Sequence, residues 1–316
     1  MINRRDLATG AAITAAAAVF GSGARAQIPS GAASGAASIV PPVGPWTKFG
    51  DLRRAGGTLH YATLGEDRSG RPPIVLLHKL GGWLSDWRFV APVLAQGRRV
   101  IAFDLPGHGG SQWLGTAPYI HTLGESAALL IGALDEMGID RVDLLGTSLG
   151  GCVAVPLAAF WPERVAKLAI ISSALGVRRS LAEIATNIDA RQTALFDAGG
   201  NPVPTAPAMI EQIFGIVHAE AINVEGIASR KAAGHWIQPT ERGVAITDIA
   251  GTLKRVEAPT LLVYGDRDKA YRKFQPAAEA ALKHVRTAVV PNSGAFVIQD
   301  NPAAAGAVLK AFVEAR

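Results

Sequence analysis

The sequence predicts an α/β fold, a mostly parallel sheet with helices on both faces. Three observations carry this. Short, continuous apolar runs recur along the chain, which is how strands buried on both faces read. Helical patterns separate them, so strand and helix alternate. The chain has 316 residues with 49% hydrophobic and 18% charged content, enough apolar material for one large core.

The segment Gly56 to Gly65 alternates, is bounded by glycines, and reads as an early antiparallel strand. Continuous apolar runs follow at Pro72 to His78, Arg98 to Asp104, Arg141 to Ser148, Lys167 to Ser173, Pro259 to Asp266 and Arg286 to Asn292. Helices are expected over Ser85 to Gln96, Leu123 to Met137, Ser148 to Trp161, Arg272 to His284 and Pro302 to Glu314. Gly138 and Pro162 stop the second and third. From about 174 to 246 the alternation breaks. Helical patterns occur there (Leu181 to Phe196, Met209 to Ile222, Val224 to His235) without a convincing strand. A helical insertion between two sheet strands reads as a lid over the carboxyl edge of the sheet, where sites in such folds lie.

Residues 1–26 read as an export signal and not as part of the fold. Arg4 and Arg5 stand just before an Ala-rich run, Ala11 to Phe20, and Ala24-Arg25-Ala26 offers an A-x-A cleavage site. That run is too short to span a bilayer as a helix. Asn3 to Leu7 resembles a twin-arginine signal, with Asn for the usual Ser or Thr and Asp before the leucine; an ordinary secretory signal is the alternative. Either route implies a bacterial protein exported to the periplasm or secreted. No cysteine follows the cleavage site, so no lipid or other stable membrane anchor is indicated. Residues 27–45 are rich in Ala, Ser, Gly and Pro and read as a flexible tether. The folded domain is then 46–316.

Composition narrows the function. Three arginines against one aspartate in the leader account for +2 of the formal net charge of +5, so the remainder carries about +3. Lys and Arg are scattered, with no basic block or aromatic-basic stripe suggesting nucleic acid. One cysteine, Cys152, rules out an intramolecular disulfide and reads as a small buried hydrophobe. The sequence has no H-E-x-x-H, no Cys/His cluster and no G-x-G-x-x-G, so no metal or organic cofactor is expected.

The sharpest motif is Gly146-Thr147-Ser148-Leu149-Gly150, directly after an apolar strand and directly before a helix. A serine in so tight a turn needs small neighbours two residues away. Its hydroxyl then projects at the sheet edge, and the helix points its first N–H groups at the same spot.

With "LLHKLGGW", "FDLPGHGGS", "GTSLGG" and "VYGDRD", the chain from about Trp46 to the C-terminus resembles the α/β-hydrolase family, as does the passage "AFWPERVAKLAIISS". The resemblance implies Ser148 as nucleophile. It implies Asp268, in the turn Gly265-Asp266-Arg267-Asp268, as the acid of the triad. Asp266 fits a solvated turn residue better. The oxyanion hole needs two backbone donors, and the resemblance implies the N–H groups of Leu149 and Leu80. Lys79 replaces a glycine usual in relatives; its side chain is either exposed or favours an anionic substrate. Trp83 and Trp87 line an acyl pocket or pack in the core. The substrate implied is a small carboxylic ester or lactone, with C–C bond hydrolysis on a diketone-like substrate open as an alternative.

One part is missing. The base of this family follows the last strand in a Gly-His turn, and here Ser293-Gly294 is followed by Ala295. A serine hydroxyl is a poor nucleophile until a base takes its proton. Loss of the histidine from a comparable triad costs on the order of 10⁶ in kcat. Of the seven histidines, His60, His78, His108, His121 and His284 fall in strand, loop or helix-end positions. Only His218 and His235, in the lid, could swing over Ser148. Three readings stay open: a hydrolase whose base was deliberately replaced, a natural ligand-binding protein without catalysis, or a reaction served by another base.

Overall fold

The computed structural model describes residues 44–191, 196–197 and 201–315. The export signal and nearly all of the tether lie outside the described residues. The sheet contains β1 (Lys48–Arg54), β2 (Gly57–Leu64), β3 (Ile74–Leu77), β4 (Val100–Phe103), β5 (Gln112–Trp113), β6 (Val142–Thr147), β7 (Val165–Ile171), β8 (Thr260–Gly265) and β9 (Val285–Val290). Strand order is β1-β2-β4-β3-β6-β7-β8-β9, with the short β5 also on β2. The β1–β2 and β2–β4 pairs are antiparallel; from β4 through β9 the sheet is parallel.

Five of the six continuous apolar runs have the meaning expected of them; the sixth, β9, is an edge strand of which only Val290 is buried. Successive residues of one strand enter opposite cores. Val75, Leu77, Leu144, Leu168, Ile170 and Leu262 pack on one face. Ile74, Leu76, Leu145, Ala169, Ile171 and Val263 pack on the other. Each face is covered by helices, so neither set of side chains meets water.

Some elements differ from expectation. The sequence shows one early strand where the structure has a hairpin, β1 with β2. The helix expected over Ser85 to Gln96 is a 3₁₀ turn, Leu84–Trp87, followed by the short α1 (Ala91–Leu94). Pro92 has no amide to give the carbonyl of Arg88, so a continuous helix cannot form there. Pro276 acts likewise: a 3₁₀ turn at Arg272–Phe274 precedes the helix Gln275–Ala281. The helix α2 (Leu123–Glu136) is closed at its start by a capping box between Thr122 and Glu125. The helix α3 (Leu149–Phe160) follows β6 directly.

Between β7 and β8 the named elements of the described residues are helical. They include Leu181–Asn187, Pro207–Phe214, Ala219–Ala233 and Ile237–Ile246. The helix expected over Met209 to Ile222 is two helices, because Gly215 adopts φ 70° and ends the first. This insertion meets the body at glycines. A Cβ on Gly107 would lie 2.0 Å from the Trp236 ring, one on Gly243 1.9 Å from the His121 carbonyl, and one on Gly215 1.9 Å from the Arg267 carbonyl.

Candidate active site

Ser148 stands between β6 and α3 with φ 50° and ψ −110°. A non-glycine residue in that region is strained, and the surroundings must hold it there. They do so by close approach. A Cβ on Gly146 would sit 2.3 Å from Gly150, and one on Gly150 2.3 Å from the Leu77 carbonyl. The two glycines of the motif are small because the helix start runs against β6 and β3. The Ser148 N–H donates to Ile171, 2.9 Å, which ties the turn to the next strand.

The loop after β3 lies alongside, since Leu77 pairs with Gly146. The Gly150 N–H donates to the His78 carbonyl, 2.9 Å. Leu149, the first residue of α3, keeps its N–H outside the helix ladder. His78 is buried and takes the Leu105 N–H on Nε2 at 2.8 Å, and its Nδ1 meets the Lys79 carbonyl at 2.7 Å. Burial lowers its pKa to about 3, and that of His108 beside it likewise to about 3. Both are structural.

Lys79 is not exposed, contrary to the simpler expectation. Its Nζ is 2.6 Å from Asp86 Oδ1, and the two side chains are 10% and 1% exposed. The ammonium also lies 5.5 Å from the centre of the Phe296 ring. The sequence hides this pair because Asp86 follows seven residues later across a turn. Trp83 is buried, and its indole N–H reaches Glu225 of the insertion at 3.4 Å. Trp87 is fully buried in the core.

Asp268 follows β8. Its Oδ1 accepts the N–H groups of Ala270 at 3.0 Å and Tyr271 at 2.8 Å. The carboxylate is 6% exposed, and burial raises its pKa. Its Oδ2 accepts no well-formed hydrogen bond from a described residue, although the Ser172 hydroxyl lies close to the carboxylate. That unmatched oxygen suits the role of a carboxylate meant to hold an imidazole N–H. Asp266 instead accepts the Ser293 N–H at 3.0 Å, as a turn residue does.

Ala295 follows β9, and its surroundings are closed. It is fully buried and packs in the same cluster as Leu149, Cys152 and Tyr271. Its N–H donates to the Phe214 carbonyl of the insertion, 2.8 Å. Phe214 stacks on Phe296 with ring centres 5.2 Å apart and faces Tyr271 at 6.4 Å. A Cβ on Gly294 would lie 2.5 Å from the Gly215–Ile216 backbone. Asp300 accepts the N–H groups of Gly294, Val217 and His218 at 2.7, 2.9 and 2.9 Å, so one carboxylate fastens the insertion to this turn.

The two histidines of the insertion are both exposed. The His218 imidazole is 64% exposed and holds Asp300 at 3.1 Å. His235 is exposed. His60 pairs with Asp51 and His121 with Ser126. Cys152 is buried, its thiol pushed up to about 12, and is inert. What sequence reading missed is Tyr271. Its N–H donates to Asp268 Oδ1 at 2.8 Å, its ring faces Phe214 at 6.4 Å, and burial raises the pKa of its phenol. An open depression of about 290 Å³ borders Asp266, Asp268 and Gly215, and Ser148 does not line it. Among the described residues there is no group of three or more His, Cys, Asp or Glu arranged to hold a metal ion. No helix among them is long and apolar enough to cross a membrane.

A family model described as alpha/beta hydrolase fold matches residues 72–302. The chain is 42% identical over 119 residues to the dihydrolipoyllysine-residue acetyltransferase component of an acetoin cleaving system from Pseudomonas putida, 38% of this chain and 31% of that protein. It is 35% identical over 136 residues to a 2-hydroxy-6-oxononadienedioate/2-hydroxy-6-oxononatrienedioate hydrolase from Klebsiella pneumoniae, 41% of this chain and 46% of that protein. These matches span less than half the length of those curated relatives. A second hydrolase of that name, from Pseudomonas putida, is 29% identical over 259 residues, 77% of this chain and 84% of its own. Among solved structures, the enol-lactonase from Burkholderia xenovorans LB400 superposes with TM-score 0.65 at 21% identity, over 84% of this chain and all of that one. At that identity the likeness shows the fold alone.

Proposed function

Since this chain belongs to the alpha/beta hydrolase family, we propose that it acts on a small carboxylic ester or lactone through an acyl-enzyme on Ser148. The observation that carries this reading is the strained serine itself. A φ of 50° held by two glycine contacts is kept only where the surroundings enforce it. Ser148 attacks the carbonyl carbon. The N–H groups of Leu80 and Leu149 receive the developing oxyanion. Asp268 supplies a carboxylate built to orient a base. With Ala at 295, turnover at neutral pH is slow, of the order a triad retains without its histidine, about 10³ to 10⁴ over water. The helical insertion serves as the lid, its Glu225 meeting the Trp83 indole.

The test is labelling by a fluorophosphonate, with the modified peptide identified by mass spectrometry. The reading expects one adduct, at Ser148, absent in Ser148→Ala. Absence of any adduct on prolonged incubation sinks it. A second reading, hydrolysis of a C–C bond in a vinylogous diketone acid, is supported by the hydrolase relative that matches 77% of this chain. Turnover of such an acid with none of aryl acetates or lactones selects it. The leader supports a site of action outside the inner membrane, and the N-terminal sequence of periplasmic protein tests that reading.

A further inference from the structure

We propose that the buried pair Lys79–Asp86 is the positioning device of the oxyanion turn, fixing the direction of the Leu80 N–H. The inference rests on the reading of Ser148 as nucleophile and Leu80 as oxyanion donor given above. The turn runs from Lys79 to Gly82. The Gly82 N–H donates to the Lys79 carbonyl at 3.0 Å, and Gly81 takes φ 65°. A type II turn asks for such a φ at its third residue, where glycine is favoured. His78 Nε2 accepts the Leu105 N–H, so Nδ1 carries the proton and donates to the Lys79 carbonyl at 2.7 Å. The His78 carbonyl in turn accepts the Gly150 N–H at 2.9 Å, which joins the turn to the helix that starts at the elbow. Leu80 lies between these pins, and its N–H meets no acceptor among the described residues.

Asp86 fixes what these backbone bonds leave loose. Its Oδ1 takes the Lys79 ammonium at 2.6 Å, and its Oδ2 lies 3.4 Å from the Lys79 N–H. One carboxylate thus holds the backbone and the side-chain end of the residue before Leu80. The same Oδ2 fills the space beside Gly82, where a Cβ would lie 2.1 Å from it. The carboxylate therefore touches the first and the last residue of the turn. It stands on a firm base. Asp86 belongs to the 3₁₀ turn Leu84–Trp87, whose Leu84 N–H donates to Asp104 at 2.6 Å and whose Trp87 is fully buried. A charge 1% exposed is costly unless paired, and the Lys79 ammonium offsets that cost. From the other side the insertion closes on Gly81, where a Cβ would lie 3.0 Å from Arg230 and 3.3 Å from Ile237.

A pair that only stabilises the fold and a pair that positions the turn have different consequences. Apolar residues of similar size can replace a stabilising pair without loss. They cannot replace a positioning pair, because the Leu80 N–H then loses its fixed direction. A misplacement of about 1 Å costs on the order of 10² in rate. That loss falls on the step in which the carbonyl oxygen becomes anionic, so kcat drops while KM holds. It also falls on oxygen alone. Sulfur accepts hydrogen bonds poorly, so a thiono ester gains little from the two donors and loses little with them.

The experiment compares the intact chain, the double variant Lys79→Met with Asp86→Leu, and Lys79→Arg, each first checked for a cooperative melt. Initial rates are measured on p-nitrophenyl acetate and on its thiono analogue, both uncharged, with Ser148→Ala subtracted as background. Fluorophosphonate labelling of Ser148 is followed in parallel. The double variant is expected to melt close to the intact chain, with kcat on the oxo ester and the labelling rate lowered about tenfold to hundredfold. Its KM holds, and its rate on the thiono ester moves less than about threefold. Lys79→Arg keeps the charge and the donor and stays within about threefold of the intact chain on both esters. Asp86→Asn, isosteric beside Gly82, serves if the double variant does not melt cooperatively, and the same split between oxo and thiono rates is expected of it. A folded double variant as fast as the intact chain, equal losses on the two esters, or a folded Lys79→Arg chain as slow as the double variant overturns the inference, while labelling of Ser148 preserves the nucleophile reading. No labelling of Ser148 in the intact chain overturns both.

Discussion

Ala295→His puts the missing base back and measures what its absence is worth. Two magnitudes compete. In a comparable triad the histidine is worth on the order of 10⁶ in kcat, which sets the ceiling of the gain. Against it stands the packing. Ala295 is fully buried, its N–H is held by Phe214 at 2.8 Å, and the Phe214 ring bridges Phe296 and Tyr271. An imidazole forced into that wall costs about 1–3 kcal/mol of overpacking. For a domain of this size that lowers Tm by roughly 2–4 °C per kcal/mol. The expected outcome is a kcat on p-nitrophenyl acetate at neutral pH raised by more than about 10³, well under that ceiling, with a lower Tm. Adding Phe214→Ala makes room and raises the gain further. The assay is initial rate with a burst measurement, beside a thermal melt. A folded Ala295→His chain no faster than the parent, with or without Phe214→Ala, refutes the claim that a vacant base limits this site.

Other outcomes follow from geometry. Asp300→Ala strips the acceptor from three backbone N–H groups that join the insertion to the turn at Gly294. At about 1–3 kcal/mol for each donor left unsatisfied, a loss of several kcal/mol is expected in the urea midpoint. Lys79→Met leaves Asp86, 1% exposed, as an uncompensated charge; the loss expected is about 3–5 kcal/mol, largely restored by adding Asp86→Leu. Acid destabilises through His78 and His108, whose folded pKa values of about 3 lie below the ordinary 6.5. From that ordinary value downward the unfolded chain binds protons that the folded one refuses. Each histidine then removes about 1.4 kcal/mol per pH unit until about pH 3. Asp104, raised by burial from 3.8 to about 6, opposes one of them between those two values. Urea midpoints measured from about pH 7 to 4 check this, and His108→Gln flattens the slope by one proton.

Much of the sheet was legible because strands buried on both faces must be apolar throughout, and five such runs stand clear of their flanks. The hairpin partner β1 was not. Its sequence KFGDLRR buries only Leu52, so an exposed edge strand carries no hydrophobic signal. The broken helices hid behind sound periodicity, and Pro92 and Pro276 decided them. The elbow was legible because its motif is local and Gly146 answers to the backbone of Gly150; that Gly150 answers to Leu77 only the fold shows. The burial of Lys79 was not, because it depends on Asp86, a partner that only the fold supplies. Tyr271 was invisible for a related reason. In sequence it is one more aromatic after an acidic turn, and only the fold seats it between Asp268 and Phe214.

The insertion rests on the body at Gly107, Gly215, Gly243 and Gly294, each too close to its neighbour to admit a side chain. These four points behave as mounting holes. A graft that exchanges the insertion for that of another enzyme must reproduce them, whatever it does between. Substrate range can therefore change by altering side chains along the helices while the seat stays fixed. A single methyl group at Gly215 or Gly294 would unseat the whole piece and alter specificity, stability and the approach to Ser148 together.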